Sequence, residues 1–281
     1  MYKIVYKKEL APKTVMFKVE APWIARKIQP GQFVIIRLDE QGERIPLSIS
    51  GWDADAGTLR LIVVGVGYTS NRMIALNEGD AILDVVGPLG RHTHLPEGGT
   101  AVVIGGGYGT GAVIPSALEQ RRAGRRVVGI VGARTKELVL LEDDLRVACD
   151  ETFVTTDDGS YGIKGLVTDA LKDIIANEDV GAVLAIGPVP MMRAVSEMTR
   201  PHKIPTMVSL NAIMVDGTGM CGACRVTVGG EIKFACYDGP DFDGHLVDYK
   251  ELTMRQRTYL KQEAKAMEVF NREIAGKTAA S

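Results

Sequence analysis

Three cysteines and one aspartate late in the chain are the residues whose types and spacing most directly indicate chemistry. Asp216 is followed by Cys221, Cys224 and Cys236, with four, two and eleven residues between successive members. Thiolates spaced in this way wrap a compact loop around a small inorganic core, and a distant ligand closes the site. Glycines inside the loop allow its tight turns and leave room for inorganic sulfur. The spacing therefore favours a [2Fe–2S] cluster held by these four side chains.

Other interpretations of the same residues stay open. A structural zinc ion also accepts cysteine and carboxylate ligands, and Cys221 and Cys224 alone could form a redox-active thiol pair. Asp216 could merely cap the turn at Gly217, with water or a backbone group completing the site. The remaining cysteine, Cys149, stands apart from the other three. We expect it to be a small buried hydrophobe.

A glycine-rich turn from Gly105 to Ala112 indicates a dinucleotide site. It follows an apolar strand and precedes a helical stretch. Glycine lets the backbone approach a pyrophosphate, and a helix N-terminus offers unpaired N–H groups. A second turn closes the last strand of the same unit, at the edge where ligands bind in such folds. Without a ligand, the two would be a plain glycine turn and a Gly-Pro strand stop. The candidate binding residues are Gly106, Gly107, Gly109, Thr110, Gly187, Pro188 and Met191.

The residues after the second strand of this unit bear on which nucleotide is bound. An acidic residue about 20 positions beyond the glycine turn would hold a ribose 2′-OH. Here the strand is followed by Arg134 and Lys136. These side chains could face a 2′-phosphate, which hints at NADP(H), or they could form a solvated basic turn.

Two segments in the N-terminal part are candidates for a flavin site. The segment Arg44–Ser50 lies at a strand, where an arginine can pair with a diphosphate and a hydroxyl or backbone N–H can hydrogen-bond the flavin ring. The segment Gly65–Ser70 is an anion-binding turn directly before a helical stretch. Without a flavin, these would be an edge-strand proline and a plain hairpin. The candidate contacts are Arg44, Pro46, Leu47, Ser48, Ile62, Val63, Val64, Gly67, Tyr68 and Thr69.

The flavin candidates fall within a segment that is predicted to be a β-barrel, residues 1–97. Strand-like apolar runs lie between Pro and Gly residues at 14–19, 32–38, 59–64 and 81–86. Many short strands at this spacing predict a closed antiparallel barrel.

The glycine turns fall within a predicted α/β domain, residues 98–205. Continuous apolar strands at 100–104, 126–131, 152–156 and 182–186 alternate with helical stretches. This alternation predicts an open, doubly wound parallel sheet with both faces covered.

The C-terminal part is divided into a cluster domain, residues 206–246, and a helical extension, residues 247–281. The cluster segment is rich in glycine and cysteine and too short to bury a core of its own, so a metal centre would stabilise it. In the extension, one helical face is formed by Leu260, Ala264, Met267, Phe270 and Ile274. This face could dock a partner subunit or pack back onto its own domain, and the pattern alone favours neither.

The composition of the 281 residues limits the classes of function. The chain is 46% hydrophobic and 24% charged, as globular proteins are, and its net charge of −2 gives no electrostatic case for nucleic acid or an anionic membrane. No run approaches the ~20 apolar residues that span a bilayer, and the first residues lack the pattern of a signal peptide. We therefore expect a cytoplasmic protein whose cysteine cluster serves metal or redox chemistry.

Together, these motifs resemble the ferredoxin–NADP reductase superfamily over essentially the whole chain. The matching segments are Arg44–Ser48, Gly87–Gly90, Gly105–Gly109, Thr156–Ser160, Gly187–Met191 and Cys236–Pro240. Two families share the plan of ending in a [2Fe–2S] loop. One is the electron-transfer subunit of dihydroorotate dehydrogenase B, which carries four cysteines in that loop. The other is the small subunit of NADH-dependent ferredoxin:NADP oxidoreductase, also known as the sulfide dehydrogenase beta subunit, which resembles this chain in having aspartate as the first ligand.

The resemblance implies FAD in the barrel, NAD(H) in preference to NADP(H) at the glycine turns, and the cluster in the same chain. It also implies a heterodimer or larger complex, whose larger subunit carries a second FAD, [4Fe–4S] clusters and the NADP(H) site. Such complexes react with ferredoxin and perform flavin-based electron bifurcation. Asp158 resembles a family residue near the nicotinamide, although an Asp-Gly turn needs no further role. Arg44 departs from the family pattern because it lies four residues before Ser48 instead of three.

Two other functions stay open at this point. The partner could be a dihydroorotate dehydrogenase, which would keep the class of enzyme and change the reaction. Alternatively, the chain could be a non-enzymatic regulatory subunit that binds a nucleotide and is stabilised by a structural zinc ion. No side chain is predicted to act as a catalytic acid or base, since hydride transfer depends mainly on the orientation of the two cofactors.

Overall fold

A computed structural model of the protein describes residues 1–279, with side chains as far as Glu273. Its strands are β1 (Tyr2–Ala11), β2 (Thr14–Glu20), β3 (Phe33–Arg37), β4 (Ile45–Asp53), β5 (Thr58–Val64), β6 (Ala81–Ile82), β7 (Asp84–Leu89), β8 (Thr100–Gly106), β9 (Val127–Ala133), β10 (Glu151–Thr156), β11 (Ile163–Lys164), β12 (Val180–Ile186), β13 (Thr206–Ser209), β14 (Arg225–Val228), β15 (Glu231–Phe234) and β16 (Asp241–Asp243). Its helices are α1 (Pro22–Ala25), α2 (Tyr68–Ile74), α3 (Gly109–Arg122), α4 (Glu142–Ala148), α5 (Val167–Asn177), α6 (Val189–Thr199), α7 (Tyr249–Gln256) and α8 (Leu260–Ala279).

The N-terminal strands form a nearly closed antiparallel barrel, which confirms the predicted fold of this segment. Their order is β6-β1-β2-β5-β4-β3-β7. The outer strands β6 and β7 are separated only by Leu83, so the sheet curls until its two edges almost meet. Phe17, Leu59 and Leu61 are fully buried inside it, and each such side chain contributes roughly 1.5–3 kcal/mol. The predicted run 81–86 is divided between the two outer strands.

The second sheet is doubly wound, as the alternation of strands and helices predicted. Its order is β11-β10-β9-β8-β12-β13-β16, and all its strands are parallel except β16. Both faces are covered: Val102 and Ile104 of β8 pack in the core on one side, and Ala101 and Val103 in the core on the other. The strand order reverses between β8 and β12, where the two glycine turns meet.

The second sheet extends past residue 205, where the sequence placed its boundary. β13 pairs with β12 in parallel, and β16 pairs with β13 in antiparallel fashion. Both strands lie in the range 206–246 that was assigned to the cluster domain. They are short and lack a periodic pattern of their own, which explains why the sequence did not indicate them. The division of the chain into four domains stays a prediction.

The remaining C-terminal elements are a small hairpin and two helices. β14 and β15 pair in register from Arg225 with Phe234 to Val228 with Glu231. The predicted helical extension contains two helices, α7 and α8, with a break between Gln256 and Leu260. Within the described residues, no helix combines the length and the apolar character needed to cross a bilayer.

Helix α8 packs back onto the barrel of its own chain, at α2. The rings of Phe270 and Tyr68 meet edge to face with centroids 6.1 Å apart. The Tyr68 hydroxyl donates to the Glu273 carboxylate at 3.2 Å, and the Asn71 amide lies 3.9 Å from the Met267 sulfur. Ile274 of the predicted face lies outside the described side chains.

Candidate functional site

A cleft between the barrel and the parallel sheet contains several of the predicted flavin contacts. Its walls come from β3, β4, β5 and α3, and from the segment that follows β13. Among the residues that line it are Pro46, Leu47, Ser48, Ile62, Tyr108 and Asn211. Apolar walls with a few polar groups are the usual form of a cofactor site.

The register of β4 explains how the predicted motif reaches the cleft. Leu47 lies opposite Val34 and Ser48 opposite Phe33, so this part of β4 pairs with β3. Pairing with β5 begins only at Ile49, so Pro46 costs no ladder hydrogen bond on that side. Arg44 precedes the strand, is exposed, and makes no salt bridge among residues 1–273.

The candidates on β5 face opposite sides because side chains alternate along a strand. Ile62 lines the cleft, whereas Val63 is buried in the barrel core. Val64 is half-buried at the end of the strand, opposite Thr14. Of the three, only Ile62 has its side chain in the cleft.

The second flavin segment forms the N-terminus of α2. Gly67 caps the helix, and the Ser70 hydroxyl accepts the Gly67 N–H at 2.9 Å. The Thr69 hydroxyl is buried and donates to the Glu43 carboxylate at 2.6 Å. Since Tyr68 donates to Glu273, both predicted hydroxyl contacts already have carboxylate partners within the chain.

The two glycine turns that were predicted to bind a dinucleotide lie side by side. A Cβ atom on Gly106 would lie 2.5 Å from the Met191 sulfur and 3.0 Å from Pro188 Cδ. A Cβ atom on Gly187 would lie 3.1 Å from Gly106 Cα. Only glycine allows the two backbones to come this close, so the structure brings these predicted residues together at the switch point of the sheet.

The N-terminus of α3 lies at the same switch point of the sheet, beside the two glycine turns. Gly109 packs against the Ile186 carbonyl, where a Cβ atom would lie 2.6 Å from the carbonyl carbon. Gly107 has a φ of +56° with open space beside it. The Thr110 hydroxyl is buried and has no hydrogen-bond partner within the described residues. Buried hydroxyls are normally paired, so Thr110 is suited to a ligand at this helix end.

Arg134 and Asp158 lie next to each other beyond the ends of β9 and β10. The Asp158 N–H donates to the Arg134 carbonyl at 3.3 Å. The Ser160 hydroxyl and N–H both donate to the Asp158 carboxylate, and they lower the pKa of that carboxyl. The guanidinium of Arg134 makes no salt bridge in the described part of the chain. A carboxylate and a guanidinium therefore share this edge.

The predicted cluster ligands Asp216, Cys221 and Cys224 lie on the loop before the β14–β15 hairpin, and Cys236 lies just after the hairpin. The sulfurs of Cys224 and Cys236 are buried and 3.2 Å apart, whereas Cys221 is exposed. Burial raises the pKa of the Cys236 thiol to about 12, and the nearby Cys224 and Asp216 contribute in the same direction. Glycines at positive φ shape the loop, as Gly217 at +77° shows.

Asp216 lies at the start of this loop. Its carboxylate accepts the N–H groups of Thr218 at 2.9 Å and Cys221 at 3.0 Å, and these bonds lower the pKa of the carboxyl. Within the described residues, no three His, Cys, Asp or Glu side chains are grouped to hold a single metal ion. The role of Asp216 as a ligand stays a prediction. Its carboxylate and the three thiols nevertheless supply the anionic donor set that an iron–sulfur cluster requires.

Sequence reasoning missed three residues near the cleft. Ser209, the last residue of β13, and Asn211, just beyond it, line the cleft. The rule that ligands bind at the carboxyl ends of parallel strands would have indicated both had β13 been recognised. Ser209 lies opposite Asp241 in the ladder with β16. Burial raises the pKa of the Asp241 carboxyl, which accepts a hydrogen bond from the Thr93 hydroxyl.

Comparison with known proteins gives matches over nearly the whole chain. The sequence model of the iron-sulfur cluster binding domain of dihydroorotate dehydrogenase B matches residues 211–248. A homolog of the dihydroorotate dehydrogenase B (NAD(+)) electron transfer subunit from Thermotoga maritima is 43% identical over 267 residues, covering 95% of this chain and 94% of that protein. The dihydroorotate dehydrogenase B (NAD(+)) electron transfer subunit of Geobacillus thermodenitrificans is 35% identical, covering 85% of this chain and 94% of that protein.

One solved structure is similar along its full length. It is a chain of NADH-dependent reduced ferredoxin-NADP oxidoreductase, a structure described for flavin-based electron bifurcation. Its TM-score is 0.91 at 42% identity, over 96% of this chain and 98% of that chain. The arrangement of barrel, parallel sheet and cluster loop is therefore shared as a whole.

Proposed function

Because this chain belongs to the family of dihydroorotate dehydrogenase B electron transfer subunits and their homologues, we propose that it moves electrons between NAD(H), FAD and a [2Fe–2S] cluster within a larger complex. Family membership confirms the resemblance that the sequence motifs indicated. The observation that carries the proposal is the meeting of three features in one chain: the cleft between barrel and sheet, the paired glycine turns at its edge, and the cysteine loop.

The residues of this chain would orient the two organic cofactors against each other. The open space beside Gly107 would let a pyrophosphate approach the backbone at the edge of the sheet, and the α3 N-terminus would offer N–H groups to it. The cleft walls at Pro46, Leu47 and Ile62 would exclude water from the flavin ring. A flavin held there would convert the two-electron chemistry of NADH into single-electron steps.

Asp216, Cys221, Cys224 and Cys236 would hold the cluster. Cys224 and Cys236 are buried together at the inner side of the loop, and Cys221 is exposed at its outer side. An exposed outer ligand suits electron exchange with another subunit. We infer that this subunit is larger, carries further redox centres, and reacts with ferredoxin, in a complex that performs electron bifurcation. The full-length similarity to the ferredoxin-NADP oxidoreductase chain supports this choice.

NAD(H) is the proposed nucleotide. The names of the related proteins from Thermotoga maritima and Geobacillus thermodenitrificans contain NAD(+). Asp158 resembles a family residue near the nicotinamide, so its position does not distinguish the two nucleotides. The names of these relatives are preferred to the hint from Arg134 and Lys136.

A second candidate keeps the same cofactors and changes the partner to a dihydroorotate dehydrogenase. It is favoured by the match of residues 211–248 to the cluster domain of that enzyme. The first candidate is preferred because Asp216 occupies the first ligand position of the loop, as in the ferredoxin-linked family to which the sequence was likened.

The test is purification of the chain with its native partner. The expected result is a flavin and iron–sulfur absorption spectrum, with iron and acid-labile sulfide present, bleached by NADH faster than by NADPH. A co-purifying larger chain that oxidises dihydroorotate would support the second candidate. Zinc in place of iron, with a colourless protein, would refute the electron-transfer function.

A further inference from the structure

Two arginine side chains hold the short segment between two of the proposed cluster ligands. Gly222 and Ala223 are the residues that separate Cys221 from Cys224. The Arg225 guanidinium donates to the Gly222 carbonyl at 3.0 Å, and the Arg255 guanidinium donates to the Ala223 carbonyl at 3.1 Å. Both carbonyls of this segment are therefore fixed by charged donors, which form stronger hydrogen bonds than neutral ones.

The orientation of these carbonyls fixes the N–H groups of the loop. In a trans peptide, the N–H points away from the carbonyl of the same unit. Holding the carbonyls of Gly222 and Ala223 toward the arginines therefore turns the N–H groups of Ala223 and Cys224 to the opposite side. Neither N–H meets an acceptor among the described residues. Unpaired N–H groups beside buried thiols are suited to the sulfur atoms of a cluster.

Arg255 reaches the loop from a well-anchored helix. It lies in the last turn of α7, whose first turn is capped by the Asp248 carboxylate accepting the Glu251 N–H at 2.9 Å. Leu252 of the same helix is buried in the core that contains Cys224. The guanidinium is thus held by a rigid element, which a positioning role requires.

The two guanidiniums also place positive charge beside the loop. Together with Cys221 they line a cavity of about 360 Å³, and none of the described residues that line it is acidic. Neither Arg225 nor Arg255 makes a salt bridge within residues 1–273. No carboxylate in that part of the chain therefore pairs with either charge at close range. Positive charge near an iron–sulfur cluster favours its reduced form.

We propose that Arg225 and Arg255 are positioning residues for the cluster: they orient the Gly222–Ala223 peptides toward it and raise its reduction potential. The proposal rests on the function proposed above, because it requires the cluster to be present. It gives α7, which carries none of the four predicted ligands, a role in setting the properties of the cluster.

The test compares Arg255 with a matched arginine on the same helix end. Arg257 is exposed and makes no salt bridge in the described part of the chain, so Arg257→Gln removes the same charge two residues away without touching the loop. The variants Arg255→Gln, Arg255→Lys and Arg257→Gln are purified as the complete complex. Iron and sulfide content, the reduced-state EPR signal and the cluster midpoint potential are measured for each.

Arg255→Gln should lower the midpoint potential by about 59 mV, a tenfold loss in preference for the reduced form. Arg255→Lys should restore most of the potential while changing the EPR line shape, because the charge is kept and the planar donor is lost. Arg257→Gln should leave both readouts as in the wild type. Equal potentials and spectra in Arg255→Gln and Arg257→Gln would overturn the proposal.

If the Arg255 variants lose iron, their thermal unfolding temperatures distinguish positioning of the loop from general stabilisation of the fold. Iron loss with an unchanged unfolding temperature of the apoprotein supports positioning of the loop. Iron loss with a lowered unfolding temperature in both variants would mean that Arg255 only stabilises the fold. Absence of iron from the wild-type complex would instead refute the proposed function, so the two failures are distinguishable.

Discussion

Replacing Gly109 with alanine should separate the nucleotide turn from the sheet. Gly109 begins α3 and packs directly on the end of β12. An added Cβ would lie 2.6 Å from the Ile186 carbonyl carbon and 3.1 Å from the Gly187 nitrogen, whereas ordinary contact begins at 3.4 Å. These neighbours are backbone atoms and cannot rotate away, so the N-terminus of α3 must move.

The size of this movement determines the expected loss. Restoring ordinary contact with the carbonyl carbon requires a shift of about 1 Å, and a misplacement of that size can cost roughly 100-fold in rate. The shift acts between α3 and the Gly187 turn, where the proposed nucleotide would lie. We therefore expect reduction of the flavin by NADH to slow about 100-fold, with the flavin content retained.

Stopped-flow measurement of flavin reduction tests this, with Gly124→Ala as the matched control. Gly124 lies just beyond the other end of the same helix, at a φ of +78° with open space around it. Alanine there incurs roughly 1–2 kcal/mol of left-handed strain without displacing the site. A wild-type rate in Gly109→Ala, or an equal loss in both variants, would refute the reasoning.

Three further predictions concern the cluster, a buried acid and the C-terminal helix. Asp216→Cys should keep the cluster at an altered potential, whereas Asp216→Ala should lose iron, because one iron site would be open to water; two irons per chain and an unchanged EPR spectrum in the alanine variant would contradict the ligand assignment. Burial raises the pKa of Asp241 above its unfolded value, so its contribution to stability is present at acidic pH and is lost as the pH rises through the folded-state pKa. Asp241→Asn should therefore raise the free energy of unfolding in urea more at mildly alkaline than at mildly acidic pH, and equal effects would contradict this. Deleting residues 260–281 should lower flavin retention, because Tyr68, one of the predicted flavin contacts, loses its contacts with Phe270 and Glu273. An unchanged flavin-to-protein ratio after gel filtration would count against this prediction.

The sequence predicted the long, strongly patterned elements well. Continuous apolar runs such as 100–104 and 182–186 became β8 and β12, because strands buried on both faces need apolar residues throughout. The glycine turns were also recognised, since close backbone approach leaves a glycine signature. In both cases the physical requirement acts on residues that are neighbours in sequence.

Elements that depend on distant partners were not predicted. β16 has three residues and exists because β13 offers it an edge, which no local pattern reports. The break between α7 and α8 could not be predicted, because no Gly or Pro lies between Gln256 and Leu260 to indicate the end of a helix. The contact of α8 with α2 joins residues about two hundred positions apart. The apolar face of α8 predicts that the helix packs against something, but not against which surface.

The unpredicted strand β16 ties the segment that contains the predicted cluster ligands to the second sheet. The chain leaves the second sheet after Ser209, forms the cluster loop and hairpin, and returns to the same sheet at Asp241. The cluster segment is thus tied at both ends to the sheet, and moving it would break a ladder whose hydrogen bonds each contribute roughly 0.5–1.5 kcal/mol. Pro240, four residues after Cys236, also lines the cleft. We therefore expect electron transfer between the cleft and the cluster to need no domain movement, whereas transfer beyond this chain depends on what contacts the exposed Cys221.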